Sequence, residues 1–312
     1  MQFCEMDRIS GKMKEGIGKA IRKVMLACVS MAFLFPCSTF HTLQAQRQDF
    51  LSCSELLLRG GGMNYIGDLN DQSVFSLPRL AVGGGIRYNY NNRWSFRGEV
   101  AFGSVECKED YNKLRNLSFK SDIFEVSALA EFNFSPYGPG ATERLWTPYL
   151  FGGLAVFHYN PMAEYSIGPG ETSWAELQPL GTEGQGTVEY PDRQPYTLTQ
   201  LCLPFGVGVK ARLGKNFSVA VEYGFRLTWT DYLDDVSTTY VGKEVLEAHS
   251  ADGALAATLA DRSSEVVEGY ENAPGIKRGD DSLDDWYAYF HISVGVNLDM
   301  LFGWMRSKRC KY

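Results

Sequence analysis

The feature that most constrains this chain is its last apolar stretch, Trp286 to Phe302. Every second residue from Trp286 reads Trp, Ala, Phe, Ile, Val, Val, Leu, Met, Phe, and the residues between read Tyr, Tyr, His, Ser, Gly, Asn, Asp, Leu. Side chains on a strand alternate between faces, so one face is apolar and the other mostly polar. The stretch is 17 residues long, whereas ordinary strands run to about 5–6. A strand with lipid outside and a polar lumen inside accounts for both length and alternation. It reads as the closing strand of an outer-membrane β-barrel.

The N-terminus carries an export address. Arg22 and Lys23 precede the apolar run Val24 to Phe35, and Leu43-Gln-Ala45 offers a cleavage site before Gln46. The run is shorter than the about 20 residues a spanning helix needs, which fits a cleaved signal peptide over residues 1–45. The stretch before Arg22 is long enough that Met13 is an alternative start. A lipid-anchored cysteine at Cys28 or Cys37 fits less well, because Cys28 lies early in the run and Pro36 precedes Cys37. Cleavage removes six of 30 Lys/Arg and three of 37 Asp/Glu, leaving 24 basic against 34 acidic residues, a formal charge of −10. An acidic exported chain is a poor nucleic-acid ligand. No later apolar segment reaches helix-spanning length, so insertion has to be as a barrel.

Seven further strands precede the last: 54–65, 80–90, 94–105, 122–134, 146–159, 198–213 and 216–229. The expected fold is therefore all-β, an eight-stranded antiparallel up-and-down transmembrane barrel over residues 54–302. It is preceded by a periplasmic segment 46–53 and followed by a periplasmic tail 303–312. Asn91-Asn92 and Gly214-Lys215 are tight turns, and 135–145 is an intermediate link. The connections 66–79, 106–121, 160–197 and 230–285 are long. Short turns on the periplasmic side and long loops outside are the rule for such barrels, and all seven connections obey it.

Strand parity assigns the lumen. Glu55, Arg59, Arg87, Arg97, Glu99, Glu125, Glu131, Lys210, Arg212, Glu222, Arg226 and Asp299 point inward, six acids and six bases. An eight-stranded barrel is just wide enough for side chains to fill it, and charges leaving water need partners. The expectation is a plugged, ion-paired interior rather than a pore. Aromatics gather at strand ends: Tyr90, Trp94, Phe134, Trp146 and Phe302 on the periplasmic side, and Phe157, Tyr159, Trp229 and Trp286 on the outer side. This suits two interfacial girdles. A soluble β-sandwich with scattered core aromatics explains neither the strand lengths nor the export signal.

Two stretches carry more than barrel grammar. Asn64-Tyr-Ile-Gly-Asp-Leu-Asn70 ends the first strand. Arg115-Asn-Leu-Ser-Phe119, then Ile123-Phe-Glu-Val126 and Glu131-Phe-Asn-Phe134, run into and along the fourth. Together they resemble the Bacteroidetes outer-membrane barrel family that includes the type IX secretion component PorG. The likeness runs from about Glu55 to Phe157 and returns in the last three strands. Its motif positions are Tyr65, Gly67, Asp68, Asn70, Arg115, Asn116, Leu117, Ser118, Phe119, Glu125, Glu131, Phe132 and Asn133. The resemblance implies a small barrel that anchors a periplasmic secretion ring, with a ring lipoprotein as partner. The loops 160–197 and 230–285 carry no motif of the family.

The candidates for chemistry are few. Of the histidines His158, His249 and His291, parity puts His291 in the lumen near Glu222 or Arg226, with Ser293 two residues on. A nucleophile needs a base within reach and an elbow to present it, and no such elbow occurs. The chain reads as a non-enzyme without a cofactor. Asp231, Asp234 and Asp235 face Asp280, Asp281, Asp284 and Asp285 across the last loop. Clustered oxygens suit hard cations, but EF-hand spacing is absent and a solvated acidic rim is the expectation, so no metal is assigned. Arg278-Gly-Asp280 is short enough to be chance, and Arg59-Gly-Gly-Gly62 lacks a phosphate-loop pattern and a following helix. Cys53 and Cys310 flank the two strands that meet at the seam and are a candidate periplasmic disulfide, while Cys107 and Cys202 fall on opposite walls. Residues Lys243 to Arg262 suit a short helix, whose Val241, Leu246, Leu255 and Leu259 either cap the barrel or bind something outside.

Three functional readings follow. The first is an anchor in the outer membrane, contacting its lipids, that works through the turn 135–145 and the basic tail with Arg306, Lys308, Arg309 and Lys311. The second is a surface-binding barrel that works through loops 160–197 and 230–285. The third is an enzyme around His291.

Overall fold

A computed structural model describes residues 53–70, 78–109, 112–137, 145–214, 216–249 and 252–298. The export signal 1–45, Asp299, Phe302, Cys310 and the tail 303–312 lie outside the described residues.

The strands are β1 (Cys53–Ile66), β2 (Arg79–Asn89), β3 (Trp94–Lys108), β4 (Ser118–Asn133), β5 (Trp146–Gly168), β6 (Glu171–Glu176), β7 (Thr199–Leu213), β8 (Phe217–Thr228) and β9 (Trp286–Asn297). Eight of them close a ring. Each of β1 to β4 pairs antiparallel with the next, β4 pairs with β5, β5 with β7, β7 with β8 and β8 with β9. The seam pairs β9 back onto β1 from Glu55↔Asn297 to Ile66↔Trp286. The ring thus closes with no free sheet edge, as a lipid environment demands.

The side chains are sorted inside out. Along β3 the exposed face carries Trp94, Phe96, Val100 and Phe102, and the buried face Ser95, Arg97 and Glu99. On β9 Phe290, Ile292 and Val294 are exposed, while His291 and Ser293 are buried. Water would reject such an apolar wall, whereas hydrocarbon accepts it and the lumen collects the charge. The protein is an eight-stranded outer-membrane barrel. Among the described residues no helix is long and apolar enough to cross a membrane.

The lumen is filled by five carboxylates and five cations from the expected set. Arg97 grips Glu222 with two bonds of 2.6 and 2.7 Å and lies 2.8 Å from Glu131 and 2.9 Å from Glu99. Arg87 joins Glu131 at 3.0 Å to Glu55 at 3.2 Å, Lys210 pairs with Glu131, and Arg59 with Glu99. Arg226 holds Glu125 at 2.9 Å. Arg212, expected among them, is only half-buried, near the end of β7. Cys53 is buried and its Sγ accepts a bond from Asn89 at 3.3 Å.

At the periplasmic end the turns are short. Asn91 accepts bonds at 2.8 Å from the backbone N–H groups of Arg93 and Trp94, closing the β2–β3 link as an Asx turn. Gly214, at φ 75°, turns β7 into β8. Tyr137 is buried beneath Lys210, whose ammonium lies 4.9 Å from its ring.

Three expectations need correction at the outer end. Phe157 and Tyr159 are not girdle residues but point inward, both fully buried, because they continue the inward parity of Tyr149 and Phe151. The strand expected to stop at Tyr159 runs on to Gly168 and returns as β6, with Gly170 at φ 81° in the turn. The single short helix is two, α1 (Lys243–His249) and α2 (Gly253–Ala260). Val241, Leu246 and Leu259 bury against Leu177, Leu180 and Ala163, with Leu255 partly buried alongside, so these residues cap the barrel.

Candidate functional site

The most elaborate part of the molecule is this extracellular cap, whose centre no sequence motif announces. Gly181, Gly184 and Gly186 adopt φ of 60°, 80° and 78°, a left-handed conformation that glycine enters without strain. They fold Gly181-Thr-Glu-Gly-Gln-Gly186 into a tight loop that delivers Glu183 to the interior, where it is wholly buried. Glu183 accepts bonds from the backbone N–H groups of Ser237 and Thr238, both at 2.9 Å, from the Thr238 hydroxyl at 2.6 Å and from Arg278 at 2.9 Å. Arg278 also donates to the carbonyls of Asp235 and, at 3.1 Å, Ala260.

Asp235, itself left-handed at φ 66°, accepts bonds from the Tyr196 hydroxyl at 2.7 Å and the Thr182 hydroxyl at 2.5 Å. Arg115 then ties in the β3–β4 and β1–β2 loops. It pairs with Glu109 and donates to the carbonyls of Arg278 and, at 3.1 Å, Asp68. One interlocked set of buried charges therefore fastens all four outer loops. Arg278 is only 2% exposed, so the Arg278-Gly-Asp280 sequence serves the cap interior and is not displayed.

Below the hub lies a carboxylate group. The Tyr65 hydroxyl reaches Asp234 at 2.5 Å and Asp285 at 2.9 Å. Asp285 also accepts the Leu233 N–H at 3.0 Å, and Asp234 the Val236 N–H at 2.9 Å. Asp68 accepts the Asp280 N–H. The expected solvated rim is thus half wrong. Asp281 and Asp284 are exposed, but Asp231, Asp234, Asp235 and Asp285 are buried.

Burial pushes the Asp231 carboxyl up to about 9 and that of Asp234 up to about 8, with Asp68 adding repulsion to both. Asp285 is raised well above the usual range by burial and by Asp234 and Asp231. Burial raises Asp235 to about 6, and Arg278 opposes the shift. Among the described residues no three His, Cys, Asp or Glu side chains are arranged to hold a metal.

The motif residues divide among three places. Asp68 and Arg115 stand in the cap, and at the top of the wall Phe119 sets its ring edge-on to Tyr65 of β1 at 4.8 Å, beside buried Leu117. Asn70 donates to the Tyr65 carbonyl at 3.0 Å. Asn116, at φ 51°, donates to Glu265 at 2.9 Å, and Ser118 accepts from Arg262 at 3.2 Å. Glu125 and Glu131 belong to the lumen. Asn133 is buried at the periplasmic rim, and Phe132 packs against Trp94 at 5.1 Å. His291 lies 3.5 Å from Glu222, as parity indicated.

Gly67 explains itself by contact, since a Cβ there would overlap the Asp285 carboxylate and the ring and hydroxyl of Tyr65. Gly67→Ala is expected to part Tyr65 from Asp285 and lower cap stability by about 1–3 kcal/mol, as overpacking of a filled site does. Limited proteolysis of the outer loops checks it, and an unchanged cleavage rate would contradict the packing argument.

A family model described as a domain of unknown function, DUF6089, matches residues 31–173. That span contains every motif residue quoted above. Among solved structures the chain is similar to the attachment invasion locus protein Ail of Yersinia pestis, with 10% identity, 78% of this chain and 97% of that one covered, and a TM-score of 0.37. Neisserial surface protein A shares 10% identity over 79% of this chain and 98% of that one, TM-score 0.37. OprG of Pseudomonas aeruginosa shares 10% identity over 78% and 96%, TM-score 0.35. The barrel topology stands on its own strand pairing, independent of these likenesses. No curated protein matches the sequence.

Proposed function

We propose that this chain is a non-catalytic, non-conducting outer-membrane barrel whose working part is the extracellular cap, a fixed surface for a partner outside the cell. One observation carries the reading: four outer loops are locked together by buried ion pairs around Glu183 and Arg278, far beyond what closing a barrel needs. A surface so ordered binds without a large entropic loss. Around the lock the outer loops leave Val188, Val266, Val267, Ile276 and Leu283 exposed. The apolar wall takes outer-membrane lipids as its partner. The ion-paired lumen supports the non-enzyme reading, with His291 set against Glu222 and the Tyr289 ring rather than an open cleft.

The resemblance favours a second reading, an anchor of a type IX secretion ring that meets a periplasmic lipoprotein through the turn 135–145 and the tail 303–312. It rests on the resemblance at the thirteen motif positions, all of which lie inside residues 31–173, the span of the family of unknown function. Affinity capture from outer membranes in mild detergent separates the two. Trimming the exposed parts of loops 160–197 and 230–285 is expected to abolish capture of the partner, with removal of 303–312 having no effect. The opposite pattern, recovery of periplasmic lipoproteins that is lost with the tail, would select the secretion anchor.

A further inference from the structure

Asp231 is buried, yet neither of its carboxylate oxygens has a hydrogen bond of ordinary geometry. It points into a space already occupied by like charge. From β1 comes Tyr65, from the β1–β2 loop Asp68, from the β5–β7 loop Glu183, and from the β8–β9 loop Asp234, Asp285 and the Ser237 hydroxyl. Among the described residues the cation acting on this group is Arg115, and it pairs with Glu109. Arg278, the other buried cation of the cap, is committed to Glu183 and Asp235. Four carboxylates packed this way cannot all be ionised, because buried like charges repel and desolvation penalises each one.

Something positive has to enter when the cap closes. No three of the acids are arranged around a common metal position, whereas the Tyr65 hydroxyl bridging Asp234 and Asp285 has the geometry of a proton-sharing group.

We propose that Asp68, Asp231, Asp234 and Asp285 form a proton-operated latch that holds the β8–β9 loop onto the strand tops while protons neutralise the group, and releases it as they leave. The contact released is specific. Tyr65 belongs to β1 and Asp68 to the β1–β2 loop, whereas Asp231, Asp234 and Asp285 belong to the β8–β9 loop, so ionisation sets the loop acids against Asp68 and against one another around the Tyr65 hydroxyl and drives the loop from the strand tops at this point. The latch stands whether or not the cap binds a partner.

The direction follows from linkage. Asp231, Asp234 and Asp285 are raised in the closed cap, with Asp68 a source of the repulsion, so closure is fully supported below the ordinary carboxylate range. That support is lost as pH rises through the closed-state values of about 8 and 9 at Asp234 and Asp231. The opening constant should climb about tenfold per pH unit for each proton released.

Hydrogen exchange of residues 230–241 tests this in the full chain in phospholipid vesicles between about pH 5 and about pH 9, corrected for intrinsic exchange rates. Wild type should lose protection with rising pH. Asp231→Asn and Asp234→Asn, isosteres of the neutral form, should each remove about one factor of ten per pH unit from the slope and keep the loop protected at high pH. β-Sheet circular dichroism confirms that each variant is folded. A flat profile in wild type, or a slope that neither substitution changes, overturns the latch. Recovery of protection at high pH on adding millimolar calcium also overturns it, because the neutralising species would then be a metal rather than a proton.

Discussion

Replacing Arg97 by leucine is expected to be the most damaging single change in the barrel. Its guanidinium meets Glu222 twice and lies within 3 Å of Glu131 and Glu99, all on fully buried side chains. Among the described residues five buried lumen cations balance five carboxylates, so the substitution leaves one uncompensated negative charge and strips partners from three acids at once. Breaking one buried pair costs about 3–5 kcal/mol, and the loss here should lie at or above the top of that range. Urea titration of the barrel in phospholipid vesicles, followed by tryptophan fluorescence, measures it. The double change Arg97→Leu with Glu222→Gln restores neutrality and should recover a large part of the loss. If the single and double variants unfold at the same urea concentration, charge balance is not what holds the lumen.

The same balance explains why the lumen was legible in the sequence and the cap was not. In the wall each strand is a local device: alternation is written in neighbouring residues, and register follows once short and long connections are assigned. Arg97, Glu99, Glu125, Glu131, Glu222 and Arg226 could therefore be assigned inward from parity alone, and all are buried. Phe157 and Tyr159 show how the method fails when it is dropped. Standing near a strand end suggests the girdle for both, although counting from Tyr149 sets them inside.

Beyond the wall no such period exists. Glu183 meets Arg278 across 95 positions and Tyr65 meets Asp285 across 220, and nothing local distinguishes a buried loop aspartate from a solvated one. The available hint was the glycine spacing Gly181, Gly184, Gly186, which marks a loop bent too tightly for a passive linker. The continuation of β5 to Gly168 was obscured by Pro161 and Pro169, which read as loop although Pro161 sits in the ladder opposite Ser121.

The motif stretches gain a physical meaning from this geometry. Asn64 to Asn70 and Arg115 to Phe119 are the places where the wall hands over to the cap. Tyr65 and Phe119 close the lumen from above, and Arg115 carries the β3–β4 loop onto Asp68 and Arg278. At these positions the resemblance reports a shared way of closing the outer mouth. It is compatible with quite different surfaces above.

Arg278→Ala should consequently open the cap while leaving the barrel intact. The side chain is buried and holds Glu183, the Asp235 and Ala260 carbonyls and the Asp235 carboxylate. Without it Glu183 keeps its backbone and hydroxyl donors but has lost the cation that pays for its burial, a loss of about 3–5 kcal/mol. None of these contacts is made by a wall strand, so the penalty falls on the joining of the β5–β7 and β8–β9 loops. Hydrogen exchange should show residues 178–198 and 230–283 opening about a hundredfold or more readily, since every 1.4 kcal/mol is a factor of ten. Protection along β1 to β4 should be unchanged. Glu183→Gln combined with Arg278→Ala removes the stranded charge and should return part of the protection. Loss of protection spread evenly through the wall strands would mean that cap and barrel fold as one unit, and that the lock at Glu183 is no separate device.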